Sequence, residues 1–243
     1  MTEREKVLKF CENLSVTEIP KVHNFIMGLW ANRPVKILTT VEKESSWAAL
    51  KSAAQNGTLK SGDKIPVTLK NGEEIVLTIG HDERGNAYFC FEDSLNETRP
   101  VNSENTTAGG WKAFDIRQWL NNDLFALLPD DLQAVIEPTE IVQIINGERI
   151  VTKDKLFLFS KTQLFGKGEW SRIEPEDTQI DIFATEKGRV KECGEHGTWP
   201  YSTRTPYNGN TDIVCMVNSN GIADDTIAYS SRGVAPGFRI TKS

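Results

Sequence analysis

GGWKAFDIRQWLN (residues 109–121) decides the fold class. Phe114, Ile116, Trp119 and Leu120 fall at helical spacing, so the stretch reads as a short helix buried on one face, with Trp111 and Trp119 in the core. A Ser/Asn/Thr/Gly loop (102–110) leads into it. Downstream, Pro129-Asp-Asp-Leu132 opens a second short helix, with Pro at its first position and acids in its first turn, ending at Glu137-Pro138. Strands are expected near 139–146 and 155–159, with Asn146-Gly147 turning between them. Residues 166–210 are rich in Gly, Pro, Thr and Asn and read as loops. Short strands are expected near 199–204, 212–218, 226–230 and 234–240.

Upstream, Trp47, Leu50 and Ala53/Ala54 mark a helix over 44–56 that closes at Gly57. Lys64–Lys70 and Glu73–Gly80 flank Asn71-Gly72, a hairpin signal. A two-residue loop would set Val67 against Val76 and turn the Ile75/Leu77/Ile79 face toward Lys64, Pro66 and Thr68. An odd loop centred on Gly72 matches Leu69, Val67 and Ile65 to Ile75, Leu77 and Ile79 instead. The odd register is therefore expected, with a further strand at 87–92. Residues 2–31 read as two amphipathic helices, the second opened by the capping box Ser15–Glu18 and both ended by Asn32-Arg-Pro34. The expected organisation is an N-terminal helical appendage (1–34) and an α+β domain (35–243).

Charge and composition narrow the function classes. The chain has 243 residues, with 28 Lys+Arg against 34 Asp+Glu, a net charge of −6. That balance argues against a nucleic-acid backbone as partner, which needs a clustered basic surface. The 38% hydrophobic content is enough for a core. No apolar run reaches the roughly 20 residues that span a bilayer, so no membrane partner is expected. MTEREKVLKFCENL is charged from the third residue and lacks a secretory h-region. Cys11, Cys90, Cys193 and Cys215 are scattered, without CxxC, and read as reduced thiols over two disulfides. The compartment expected by default is the cytoplasm, or a virion after cytoplasmic assembly.

Four strings occur in order: GGWKAFDIRQWLN (109–121), WPYSTRTP (199–206), VNSNG (217–221) and RGVAPGFRI (232–240). The set, over about residues 60–243, resembles a bacterial and prophage domain family of unknown function with GGW–DIR–WLN and Gly-Val-Arg-Pro-x-Phe motifs. Ala235 departs from it, standing where the family usually carries Arg. Gly237-Phe-Arg-Ile240 is also similar to the last strand of C-type-lectin-like folds, which include the formylglycine-generating enzymes. The resemblance implies a C-type-lectin-like α+β domain with small antiparallel sheets and long loops, here preceded by the helical pair.

Candidate chemistry is sparse. His23, His81 and His196 are far apart, with no HxxxH or HExxH pair to share a metal. The formylglycine-generating relatives hold copper on a close cysteine pair; Cys193, flanked by charge and Gly, reads as exposed, and Cys215, in Ile-Val-Cys-Met-Val, as buried. Glu137-Pro-Thr139 only superficially copies a lectin calcium motif, and Asp224-Asp225 reads as a solvated turn. There is no GxSxG, Walker loop or GxGxxG after a strand. No cofactor and no metal are expected.

The remaining signal is aromatic, Arg and Asn content on late loops, residue types that make contact surfaces. Tyr207, Asn208 and Tyr229 are the leading ligand-contact candidates. Trp199 and Arg204 join them, although as motif residues they read more readily as scaffold around a buried Arg. The leading expectation is a non-catalytic module for a protein or carbohydrate ligand. The alternatives are an enzyme of the formylglycine-generating type and an assembly protein whose N-terminal helices make a homo-oligomer.

Overall fold

The structure, a computed structural model, describes residues 46–241. The expected helix pair at 1–34, with Cys11 and His23, lies outside the described residues. The first described helix, α1 (Ser46–Gln55), lays Trp47 edge-on against Phe89 at 6.1 Å between ring centres.

Strands β1 (Lys64–Thr68) and β2 (Glu74–His81) form the expected hairpin in the odd register: Val67 pairs with Ile75 and Ile65 with Leu77. The loop is centred on Asn71, one residue earlier than the sequence reading, with Leu69 N bonded to Glu73 O. Lys70, Asn71 and Gly72 make a three-residue turn whose last position needs a positive φ, 89° at Gly72. Because the shift keeps the parity, each apolar side chain stays on its intended face.

β2 pairs with β3 (Ala87–Phe91), and β3 with the C-terminal β12 (Pro236–Phe238), which also pairs with β7 (Phe157–Leu158). The five-stranded sheet thus runs β1-β2-β3-β12-β7. A second sheet of five short strands runs β10-β9-β8-β11-β4, from Ala223–Ile227, Ile213–Val217, Tyr201–Pro206, Arg232–Gly233 and Thr98–Arg99. A separate hairpin joins β5 (Thr139–Ile145) to β6 (Glu148–Asp154) through Asn146-Gly147. Asn146 takes φ 53°, as this two-residue turn requires. Small separate sheets, short helices and no barrel make the fold α+β. No described helix is long and apolar enough to cross a membrane.

The GGW stretch becomes a 3₁₀ turn (Gly110–Ala113) and helix α2 (Asp115–Trp119), then a π turn (Leu120–Leu124) and a last turn, α3 (Phe125–Leu127). The expected helix after Pro129 follows as α4 (Asp130–Gln133). Trp111, Phe114, Ile116 and Leu120 are buried in one core cluster with Leu77, Phe89, Phe157 and Phe238, and with Tyr201 and Val217 of the second sheet. Each such side chain contributes about 1.5–3 kcal/mol. Phe89 and Phe238 stack at 5.3 Å, fastening the C-terminal strand to the middle of the sheet.

Four expectations are corrected. Trp119 is only half-buried, because the helix turns its ring toward the surface, where the Arg99 guanidinium covers it at 4.1 Å. Cys193 is buried, its thiol donating to Leu95 O at 3.2 Å, while Glu192 and Gly194 on either side of it are exposed. Asp224-Asp225 lies in edge strand β10 with both residues exposed, not in a turn. Residues 148–154 form β6; five of the seven are charged or Thr, which hid the strand.

Candidate functional site

Strand β8 carries Tyr-Ser-Thr-Arg-Thr-Pro, and all six residues are buried. A polar strand at such depth needs a partner for each group. Thr203 Oγ1 donates to Cys215 O at 2.8 Å. Arg204 Nη1 donates to Leu158 O at 2.7 Å and to Gln163 Oε1 at 2.8 Å, and Nη2 pairs with Asp177. Gln163 is fixed in turn, because it forms the capping box with Ser160 at the start of α5 (Lys161–Phe165). Thr205 Oγ1 donates to the Glu174 carboxylate at 3.0 Å. Burial pushes the Glu174 carboxyl up to about 7, against the pull of the Arg204 charge.

The GGW–DIR–WLN residues join this network. Gln143 Nε2 donates to Glu174 Oε1 at 2.7 Å and to Arg204 O at 3.1 Å, while its Oε1 accepts from Trp111 N at 2.7 Å. Gly110 must be Gly here: its φ is 62°, and a Cβ would sit 2.6 Å from Gln143 Oε1. The Trp111 indole donates to Asp154 at 2.9 Å, and Arg117 pairs with the same carboxylate at 2.8 Å. Asn121 closes the helix onto the chain after β6, donating to Leu156 O at 2.9 Å. These motif residues act as scaffold.

Arg204 also forms part of the wall of a cleft of about 320 Å³. Asp82, Asn86 and Tyr88 line one side, Thr139, Ile141 and Val142 of β5 another, and Asp177 and Thr178 a third. Asp82 organises its side by accepting from Arg84 N and Asn86 N, both at 2.9 Å, and from Asn86 Nδ2 at 2.8 Å. The Tyr88 hydroxyl reaches the same carboxylate at 3.4 Å, and burial raises its pKa so that it stays a neutral phenol. Arg239 Nη2 donates to Asn86 Oδ1 at 2.8 Å. Among the wall residues, Thr139 Oγ1, Thr178 Oγ1 and Arg204 Nε are buried without a hydrogen-bond partner, as are the Tyr201 and Ser202 hydroxyls of β8 away from the cleft. Such atoms cost about 1–3 kcal/mol each and are uncommon in native proteins. Among the described residues no group of three or more His, Cys, Asp or Glu side chains could hold a metal.

Residues 85–242, well over half of the chain, match a sequence family described as a domain of unknown function, DUF6273. The chain belongs to the DUF6273 family. No curated protein and no solved structure matches it. The DUF6273 segment starts in the turn between β2 and β3, so Asp82 and Arg84 of the cleft wall lie just ahead of it.

The remaining sequence candidates lie in DUF6273 loops. Trp199 is half-buried at the entrance to β8, stacked on His196 at 4.6 Å. Tyr207 and Asn208 follow the other end of β8 and are exposed, Tyr207 at 43%. Tyr229, 51% exposed, follows β10. The Ala228 N–Asp212 O bond (2.9 Å) ties the Tyr229 turn to the loop that carries Tyr207 and Asn208. The structure thus brings the loops of Tyr207, Asn208 and Tyr229 together, buries Arg204 at the cleft and leaves Trp199 at the far end of the strand. Sequence reasoning missed Asp82, Asn86, Tyr88, Thr139 and Thr178; only the Asp82–Asn86 turn left a local signal.

Proposed function

We propose that the protein is a non-catalytic binding module on a lectin-like scaffold, and that its ligand occupies the cleft beside Arg204. The observation that carries this reading is a cleft of about 320 Å³ whose lining sets Asp82, Asn86, Asp177 and Arg204 beside Ile141 and Val142. The wall is also pre-organised, with Arg204 held by Asp177 and Gln163, and Asn86 held by Asp82 and Arg239. A screen of small polar fragments, read by backbone amide chemical shifts, tests it. Shifts should gather at residues 84–88, 139–142 and 176–178; shifts confined to 207–212 and 228–231 would overturn it.

A second reading, a protein partner on the late loops, is favoured by the paired exposure of Tyr207 and Tyr229 on hydrogen-bonded turns. Neither alternative class has comparable support. A formylglycine-type enzyme would draw on Cys193 and Cys215, which are buried in separate elements. An oligomer built by residues 1–34 is tested by deleting them and measuring mass in solution. A prophage origin is tested by the neighbouring genes.

A further inference from the structure

We infer that the fold selects one site of spontaneous covalent modification, at which the Asn208 side chain cyclises onto Gly209 N and reopens as aspartate or isoaspartate. The chain has five Asn-Gly pairs: Asn56-Gly57, Asn71-Gly72, Asn146-Gly147, Asn208-Gly209 and Asn220-Gly221. Asn-Gly is the reactive dipeptide because glycine places no side chain beside its own nitrogen. In the reaction the Gly nitrogen gives its proton to hydroxide and attacks Asn Cγ. The new C–N bond closes a five-membered imide as the Cγ–Nδ2 bond breaks and ammonia leaves. Water then adds to either imide carbonyl, one opening giving Asp and the other isoAsp. In sequence the five pairs are equivalent; the fold separates them by what holds the attacking nitrogen.

Three of the nitrogens are held directly. Gly57 N donates to Ala54 O at 3.2 Å, Gly72 N to Leu69 O at 2.9 Å and Gly221 N to Asn218 O at 2.9 Å. An amide engaged in this way must leave its partner before it can attack. Asn71 is held at its side chain as well, its Oδ1 accepting from Glu73 N at 3.1 Å. Gly221 is buried against the Glu186 carbonyl, and its own carbonyl accepts from Arg189 Nε at 2.8 Å. Gly147 sits in a two-residue turn closed by the Ile145–Glu148 pair, with Asn146 at φ 53°, and ring closure there means opening that pair. Asn208 and Gly209 differ. They are the exposed centre of a turn whose one bond, from Asn210 N to Tyr207 O, is 3.3 Å long. Among the described residues neither Gly209 N nor the Asn208 amide has a hydrogen-bond partner. The product alters the surface around it. Residues 205–231 hold three Asp and no Lys or Arg, so the new carboxylate makes the flank of exposed Tyr207 more acidic. The isoaspartyl form also adds a backbone methylene to a turn tied to β9 by Tyr207 N and Ile213 O at 2.9 Å.

Ageing the full native chain in warm, mildly alkaline buffer, then digesting it for tandem mass spectrometry, tests the inference, with the chain unfolded in guanidinium as reference. Unfolded, all five pairs should convert at similar rates, because only the dipeptide then counts. In the native chain Asn208 should convert first, the other four lagging by about tenfold, the factor imposed by releasing one hydrogen bond beforehand. Asn208→Gln keeps an exposed amide but would need a six-membered ring; it should fold with an unchanged thermal midpoint and abolish the acidic species that ion exchange resolves. Native conversion at Asn56, Asn71, Asn146 or Asn220 as fast as at Asn208 would overturn the selectivity. Acidic species that persist in Asn208→Gln, or a native Asn208 that stays intact while the unfolded chain converts, would overturn the site itself.

Discussion

Replacing Glu174 by Gln should make the protein more stable at alkaline pH and somewhat less stable at acid pH. Glu174 is fully buried, and burial lifts its carboxyl from the ordinary 4.5 to about 7. A folded-state value above the unfolded one means that the native protein holds the proton more tightly. That contribution is complete below about pH 4.5 and is lost as pH rises through about 7. The difference of about 2.5 units corresponds to about 3 kcal/mol of lost stability above pH 8. The amide introduced by Glu174→Gln would keep the acceptor for Gln143 Nε2 and face Thr205 Oγ1, leaving one amide hydrogen short of a partner at a cost of about 1 kcal/mol. The net expectation is a gain of about 2 kcal/mol at pH 8.5 and a loss of about 1 kcal/mol at pH 4.5. Urea unfolding of both proteins at the two pH values measures it. A stability difference that is the same at both would refute the reasoning, showing that Arg204 and the donated hydrogen bonds keep the carboxylate ionised in the fold.

Trp111→Ala should cost roughly 3–5 kcal/mol as a core truncation that also strips Asp154 of a donor, whereas Trp119→Ala should cost about 1–2 kcal/mol because its side chain is only partly buried; denaturant midpoints rank the two, and equal costs would contradict the burial assignment. Tyr207→Ala and Tyr229→Ala should each cost about 1 kcal/mol or less, as exposed positions do, so unfolding of either at 25 °C would place those rings in the core. Burial pushes the Cys215 thiol up to about 11 and raises those of Cys90 and Cys193. Thiol reagent at pH 8 should therefore reach these three only after denaturation, and the denatured, unreduced chain should titrate four free thiols.

What the sequence disclosed was whatever the chain encodes within a few residues. Asn71-Gly72 and Asn146-Gly147 mark their turns because few residue pairs accept positive φ, and parity alone placed Val67 and Leu77 on the buried face. The helix after GGW was legible from its spacing, but spacing cannot say which edge of a five-residue helix meets the core, and so Trp119 was misplaced. Strand β6 was invisible because it pairs only with β5 and most of its residues face water, so no apolar alternation survives. The candidate site was harder still. Its wall draws on Asp82, Thr139, Asp177, Arg204 and Arg239, stretches brought together only by sheet pairing. A buried carboxylate such as Glu174 looks from sequence like any surface Glu, because its identity comes from what packs over it.

The start of the family segment has a practical consequence for anyone cutting the gene. A piece beginning at Gly85 keeps β3 and discards the hairpin that covers one side of it. The backbone edge that Ala87–Phe91 presents to β2 would then face solvent along a strand that reads Ala-Tyr-Phe-Cys-Phe. An uncharged, aromatic, unprotected edge is a template for another chain, so that fragment should come out as inclusion bodies or strand-exchanged dimers. A boundary ahead of Ser46 retains both the β1–β2 hairpin and the Trp47 ring that packs on Phe89, and is where a well-behaved domain should begin.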